Sequence, residues 1–308
     1  MNACSIIRGL FVLAVAAACP ATAQAQLFRA YLAIDGNDAN PCTLPQPCRL
    51  LPAALAAVAD GGEIWMLDSA NYNTSTVTIG KSVSILAVPG AVGSVVATGG
   101  PALYIGASGL EVALRNLVVV PLPGGGATWG IRMAGNSSLT IENSVLANLP
   151  ASAVATSAGS LRVANSVIRG SGGWAAWIES GARGEFSGTR MTDNHGGVVA
   201  YNSAAGTSLV SVVDCVISGG MYGVWTNNYT TGARLTVARS VIEGTTYALK
   251  ASTPDGGVSV VTVSGSTITG NEYAWHREGV GSLIRTLGDN QFTGNTTSLG
   301  ALTPVSPQ

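Results

Sequence analysis

The sequence has few charged residues, and their charges nearly cancel. Its 308 residues include 15 lysines and arginines and 16 aspartates and glutamates, so the net charge is −1. Nucleic-acid binding needs a basic face that replaces the counterions of the phosphate backbone, and this balance argues against such a face. The only two histidines, His195 and His276, lie far apart and without metal-ligand spacing to cysteine or carboxylate residues. We therefore expect neither a nucleic-acid partner nor a metal site formed by histidines.

Long apolar runs are also lacking, which excludes a transmembrane helix of about 20 residues. The longest run, residues 9–18, follows Arg8 and leads into small residues that end at Ala23 or Ala25. This order is typical of a secretory signal peptide with its cleavage site after one of those alanines. Cys19 leaves lipid attachment open as an alternative. We expect a bacterial protein that is exported to the periplasm, the cell surface or the medium.

Short alternating segments recur along the chain, as repeat proteins require. Each has a short strand, a bend of two residues and a second strand, as in LTIENSVL at 139–146 and LRVANSVI at 161–168. The bend usually ends in Asn, Asp or Gly, which tolerate a left-handed backbone. A third strand precedes each unit, with equivalent positions 22 to 26 residues apart: Arg132, Ala155, Trp177, Val199, Trp225, Lys250 and His276.

This period predicts an all-β fold, a parallel β-helix in which about nine stacked coils share one core. Residues 63–67 and 102–105 are expected to be earlier copies of the third strand. Residues 51–58, with Pro52 near their start, predict a short helix that caps the N-terminal end. The predicted organisation is a signal peptide (1–25), a loop with the capping helix (26–61), the β-helix (62–298) and a C-terminal tail (299–308).

The N-terminal stretch YLAIDGNDANPCTLPQPC at 31–48, followed by GGEIWM at 61–66 and by Tyr72, resembles the opening of secreted proteins of the pectin lyase-like superfamily. The resemblance covers about residues 31–79 and implies a right-handed β-helix. It implies little about activity, because enzymes and binding modules both carry this fold. Cys42 and Cys48 are expected to form a disulfide in an exported protein, and two free thiols are the alternative.

The outward face of the third strands is the candidate binding surface, because side chains alternate along a strand. The predicted outward column contains Trp65, Tyr104, Arg132, Ala155, Trp177, Val199, Trp225, Lys250 and His276. Two residues further along lie Glu179, Tyr201 and Asn227. Rings of Trp177, Tyr201 and Trp225 could stack on sugars while Arg132, Glu179, Asn227 and Lys250 bond hydroxyls. The alternative is that the rings only strengthen cross-strand pairing.

A second aromatic set begins the third strands, and we expect it to pack at the corners beneath the loops. Its members are Trp129, Trp174, Tyr222, Tyr247 and Tyr273.

Catalysis has weaker support from these columns. Glycoside hydrolysis needs two carboxyl groups about 5 to 9.5 Å apart, and Glu179 is the only carboxylate in the middle of the face. Lys250 and His276, on adjacent coils, could act as bases in a polysaccharide lyase, and Ca²⁺ would be a cofactor only in that case. We favour an exported protein that binds a polysaccharide. The alternatives are a lyase or other carbohydrate-active enzyme, and a structural or adhesin-like solenoid without a ligand.

Overall fold

The computed structural model describes residues 26–306, so the predicted signal peptide at 1–25 and the question of Cys19 lie outside the described residues. Within 26–306 the chain forms three parallel sheets and one short helix. Every strand pairs with strands one coil before or after it, which is the arrangement of a β-helix. The predicted right-handed parallel β-helix is confirmed.

Sheet 1 has twelve strands and contains the first strand of each repeat unit. They are β1 (Leu27–Leu32), β2 (Val58–Met66), β5 (Val83–Ala87), β8 (Glu111–Arg115), β11 (Ser138–Glu142), β14 (Ser160–Ala164), β17 (Arg183–Ser187), β20 (Thr207–Val213), β23 (Gly232–Ala238), β26 (Val258–Ser264), β29 (Ser282–Thr286) and β32 (Thr303–Pro304).

Sheet 2 has ten strands and corresponds to the predicted third strands. They are β4 (Val77–Thr78), β7 (Leu103–Ile105), β10 (Ile131–Met133), β13 (Val154–Thr156), β16 (Trp174–Ile178), β19 (Gly196–Asn202), β22 (Tyr222–Asn228), β25 (Tyr247–Ser252), β28 (Tyr273–Glu278) and β31 (Thr297–Leu299).

Sheet 3 also has ten strands, each of which follows a sheet 1 strand after a bend. They are β3 (Ala70–Asn71), β6 (Gly93–Ala97), β9 (Leu117–Pro121), β12 (Val145–Ala147), β15 (Val167–Arg169), β18 (Arg190–Thr192), β21 (Val216–Ser218), β24 (Val241–Glu243), β27 (Thr267–Thr269) and β30 (Gln291–Thr293).

The bend between sheets 1 and 3 is a fixed corner, as predicted. Asn143 and Asn165 have φ angles of 50° and 49°, and Arg239 adopts the same left-handed backbone at 47°. The residue after the bend forms a ladder of small side chains: the backbone N–H of Ser144 donates to the Ser166 hydroxyl at 3.2 Å. Cys215 belongs to this ladder, and burial raises the pKa of its thiol.

The core is a set of apolar columns inside the coil. One column of sheet 2 contains Ile131, Val154, Ala176, Val198, Val224 and Leu249, which pair in register and are fully buried. At the N-terminal end, helix α1 (Leu51–Ala57) buries Leu51, Ala54 and Leu55 against the first coils, and a disulfide joins Cys42 to Cys48.

Two details of the predicted coil count are corrected. The solenoid has about ten turns rather than nine, because β31 adds a final rung to sheet 2. Residues 63–67 are not a copy of the third strand, because β2 pairs with β1 and β5 in sheet 1. Trp65 therefore lies outside the predicted column, whose first member is Thr78 opposite Tyr104. The two-residue strands β3 and β4 are too short to show an alternating pattern in the sequence.

Candidate functional site

A groove of about 390 Å³ crosses the outer face of sheet 2 over β10, β13 and β16. The register of these strands places Arg132, Ala155 and Trp177 side by side. The small side chain of Ala155 leaves space between its two large neighbours. The lining residues are Trp129, Arg132, Pro150, Ala151, Ser152, Ala155, Gly172, Gly173, Trp174, Trp177 and Glu179.

A charged pair lies within this groove. Nη2 of Arg132 is 3.4 Å from Oε2 of Glu179, and their side chains are 20% and 31% exposed. Nη2 also donates to the Ser157 hydroxyl at 2.6 Å, and the guanidinium carbon is 5.4 Å from the ring centroid of Trp129. The groove therefore offers fixed N–H donors and carboxylate acceptors that remain partly open to solvent.

Indole rings form another part of the wall. Trp174 and Trp177 meet edge to face, with ring centroids 6.2 Å apart and planes at 75°. Trp177 is partly exposed, whereas Trp174 is 5% exposed. The Nε1 atom of Trp177 is buried and has no hydrogen-bond partner among the described residues. A groove with aromatic walls and one charged pair is suited to a ligand that has both flat apolar faces and hydroxyl groups.

An aromatic stack continues from the groove towards the C-terminal end. Trp174 stacks on Tyr222 at 5.3 Å, Tyr222 on Tyr247 at 5.5 Å, and Tyr247 on Tyr273 at 4.9 Å. The rung between Trp174 and Tyr222 is occupied by Gly196. A Cβ atom at Gly196 would lie 2.5 Å from the Trp174 ring. The missing side chain thus lets the Trp174 ring lie against Tyr222, two rungs away.

Trp225 and Lys250 belong to this stack rather than to the groove. Trp225 lies parallel to Tyr222 at 5.0 Å, and its Nε1 atom donates to the Ser252 hydroxyl at 2.7 Å. Lys250 is 8% exposed, and Nζ lies between 5.0 and 5.6 Å from the rings of Tyr222, Trp225 and Tyr247. The same ammonium group is 3.3 Å from a Glu278 carboxylate oxygen. The indole N–H of Trp225 and the ammonium group of Lys250 therefore both have their partners within the protein.

His276 completes the stack at its C-terminal end. Its ring lies 5.0 Å from Tyr247 and 5.6 Å from Tyr273, and its Nδ1 atom is buried without a partner among the described residues. Burial and the nearby charge of Lys250 lower the pKa of His276, although Glu278 acts in the opposite direction.

The predicted site residues divide between these two regions. Arg132, Trp177 and Glu179 line the groove. Tyr201 is next to it, with its ring 5.0 Å from Trp177. Trp225, Asn227, Lys250 and His276 lie on later coils, and Asn227 and Lys250 are buried.

Sequence reasoning missed the part played by Trp129 and Trp174, which were expected only to pack at the corners. Both line the groove. Each stands three residues before an outward position, Arg132 or Trp177, and this repeated spacing was a signal that could have identified them.

No helix within residues 26–306 is long and apolar enough to cross a membrane. In the same part of the chain, no cluster of three or more histidine, cysteine, aspartate or glutamate side chains could hold a metal ion.

Comparison with known proteins gives a family and a set of similar folds. A family model described as a right handed beta helix region matches residues 129–297, which is more than half of the chain. No curated protein matches the sequence.

Three solved structures illustrate the similarity. Pectate lyase Pel9A has a TM-score of 0.61 and 17% identity, over 92% of this chain and 80% of that one. XylC in complex with xylose has a TM-score of 0.57 and 10% identity, over 84% and 68%. A rhamnogalacturonan lyase has a TM-score of 0.53 and 12% identity, over 80% and 75%. At such low identities the similarity concerns the fold.

Proposed function

The chain belongs to the right-handed β-helix family, and we propose that it is an exported protein that binds a polysaccharide in the groove over β10, β13 and β16. The observation that carries this proposal is the combination of three indole rings with one partly exposed ion pair around a small floor residue. Sugar rings have apolar faces that stack on aromatic side chains, and their hydroxyls both donate and accept hydrogen bonds.

Two other observations support the proposal. The structures with similar folds are named for pectate, for rhamnogalacturonan and for a bound xylose, which are all carbohydrates. The disulfide between Cys42 and Cys48 suits an oxidising compartment, so we propose export by the signal peptide predicted at residues 1–25.

The geometry of the groove also leads us to favour binding over a lyase activity. The two candidate bases, Lys250 and His276, do not line the groove. The Lys250 ammonium group is held between aromatic rings and Glu278. Glu179 does line the groove, but it is paired with Arg132. The residues that line the groove are therefore better suited to binding a sugar than to removing a proton from it.

The test is retention of the protein on gels that contain one polysaccharide each. Trp177→Ala should weaken retention about tenfold, because a stacking contact contributes roughly 1 kcal/mol beyond the area that it buries. Trp65→Ala is the matched control, because it removes a partly exposed indole from sheet 1, and it should bind like the wild type. Equal retention of all three proteins would contradict the proposal. Absorbance of unsaturated uronate in the same mixtures would reveal the lyase alternative.

A further inference from the structure

We propose that the groove takes a neutral glycan and rejects an acidic one, an inference that rests on the proposed function. The charges on the two outward columns of sheet 2 support this preference. The strand register continues the second column, which contains Glu179, Tyr201 and Asn227, as far as Glu278. Within residues 26–306, the charged residues of the two columns are Arg132, Glu179, Lys250 and Glu278, apart from His276, whose pKa is lowered. They form two ion pairs, at 3.4 and 3.3 Å.

An acidic polysaccharide carries a carboxylate on many of its sugars, and each must find a positive partner when it leaves water. Arg132 is the cation that lines the groove, and Glu179 already neutralises it. Lys250 is buried among aromatic rings and is paired with Glu278. A uronate in the groove would therefore meet the Glu179 carboxylate without a free cation to offset the repulsion.

A neutral sugar meets no such penalty. Its hydroxyl groups can accept from the Arg132 guanidinium and donate to the Glu179 carboxylate at the same time, and both bonds are strengthened by the charge on the protein partner. The pair also gives the groove fixed donors and acceptors, because Ser157 holds the Arg132 side chain at 2.6 Å. Specificity of this kind comes from the unfavourable contact with the wrong ligand as much as from attraction to the right one.

The first experiment compares neutral and acidic oligosaccharides of equal length on the wild-type protein. Calorimetry would use xylo-, manno- and cello-oligosaccharides against oligogalacturonate and alginate fragments. It would be done at about 10 mM and about 100 mM salt, between which the Debye length falls from about 30 to about 10 Å. We expect a neutral ligand to bind with an affinity that changes less than about twofold between the two salts, and the acidic ligands not to bind.

The outcomes separate this inference from the proposed function. Binding of an acidic oligosaccharide that weakens with salt would overturn the neutral preference and leave glycan binding intact. Failure of every oligosaccharide to bind would overturn both.

The second experiment makes the groove accept an acidic ligand. Glu179→Gln removes the repelling carboxylate and frees Arg132, so the variant should bind oligogalacturonate, which the wild type does not, and this binding should weaken with salt. Glu243→Gln is the control, because it removes the same charge from an exposed position on sheet 3. Absence of any gain in Glu179→Gln would contradict the role assigned to the ion pair.

Discussion

The outer face of sheet 2 has two halves that use aromatic residues in opposite ways. Over β10, β13 and β16, the rings of Trp174 and Trp177 meet edge to face and surround an open groove. Over β22, β25 and β28, the rings of Tyr222, Tyr247 and Tyr273 stack face to face at 4.9 to 5.5 Å. The strands and their register are equivalent in both halves.

The difference lies in what occupies neighbouring rungs. Where tyrosines follow one another at the same position, each ring covers the face of the next, and little aromatic surface is left for a ligand. Where Ala155 separates Arg132 from Trp177, the two large side chains do not cover each other and space remains between them. One half of the face therefore stabilises the solenoid, and the other half leaves an open groove.

The largest expected effect comes from a substitution in the stacked half, which is the part of the face over β22, β25 and β28 where the tyrosine rings stack. Tyr222 contacts the rings of Trp174, Trp225 and Tyr247. Tyr222→Ala should therefore lower the free energy of unfolding by roughly 2 to 3 kcal/mol. This loss is below the range for fully buried aromatic residues because Tyr222 is half-buried. Urea unfolding followed by circular dichroism measures the change. Trp177→Ala, which belongs to the groove, should cost less stability than Tyr222→Ala. A larger loss for Trp177→Ala would reverse the comparison.

A smaller effect should appear at the junction of the two halves. A Cβ atom at Gly196 would lie 2.5 Å from two atoms of the Trp174 ring, so Gly196→Ala should displace that ring and cost roughly 1 to 3 kcal/mol. Because Trp174 belongs to both the stack and the groove wall, the substitution should also weaken glycan retention. Gly232→Ala serves as a control, since the nearest neighbour of a Cβ atom at Gly232 would be the Thr207 side chain at 3.2 Å. Loss of stability with full retention would show that the groove does not depend on Trp174.

The sequence alone predicted the solenoid because its repeat encodes the register directly. The repeat placed Trp177 and Trp225 two rungs apart on one ladder, and the strands pair in that register through Val199. The corner could also be predicted, because Asn and Asp at the bend favour the left-handed backbone that the structure shows there.

The shape of the site could not be predicted in the same way. A ladder position says which face a side chain occupies, but it does not say whether the ring turns towards its neighbour or away from it. Lys250 was predicted as an accessible ligand contact, yet it is 8% exposed because three aromatic rings surround its ammonium group. Trp174 lines the groove through a ring orientation that its strand position does not specify, and Trp129 lines it from just before β10.

The smallest expected effect is a pH dependence that belongs to the stacked half. Burial and Lys250 lower the pKa of His276 below its usual value of 6.5, so the unfolded chain takes up a proton at this residue more readily than the folded protein does. The free energy of unfolding should therefore fall as the pH drops below about 6.5 towards the lowered pKa, and it should not depend on this residue above that window. His276→Gln should make this decline shallower, with melting temperature measured at successive pH values. An unchanged slope in the variant would mean that His276 does not contribute to the acid sensitivity of the fold. Because none of the described groove-lining residues is a histidine, the His276→Gln substitution should leave glycan retention unaltered at each pH.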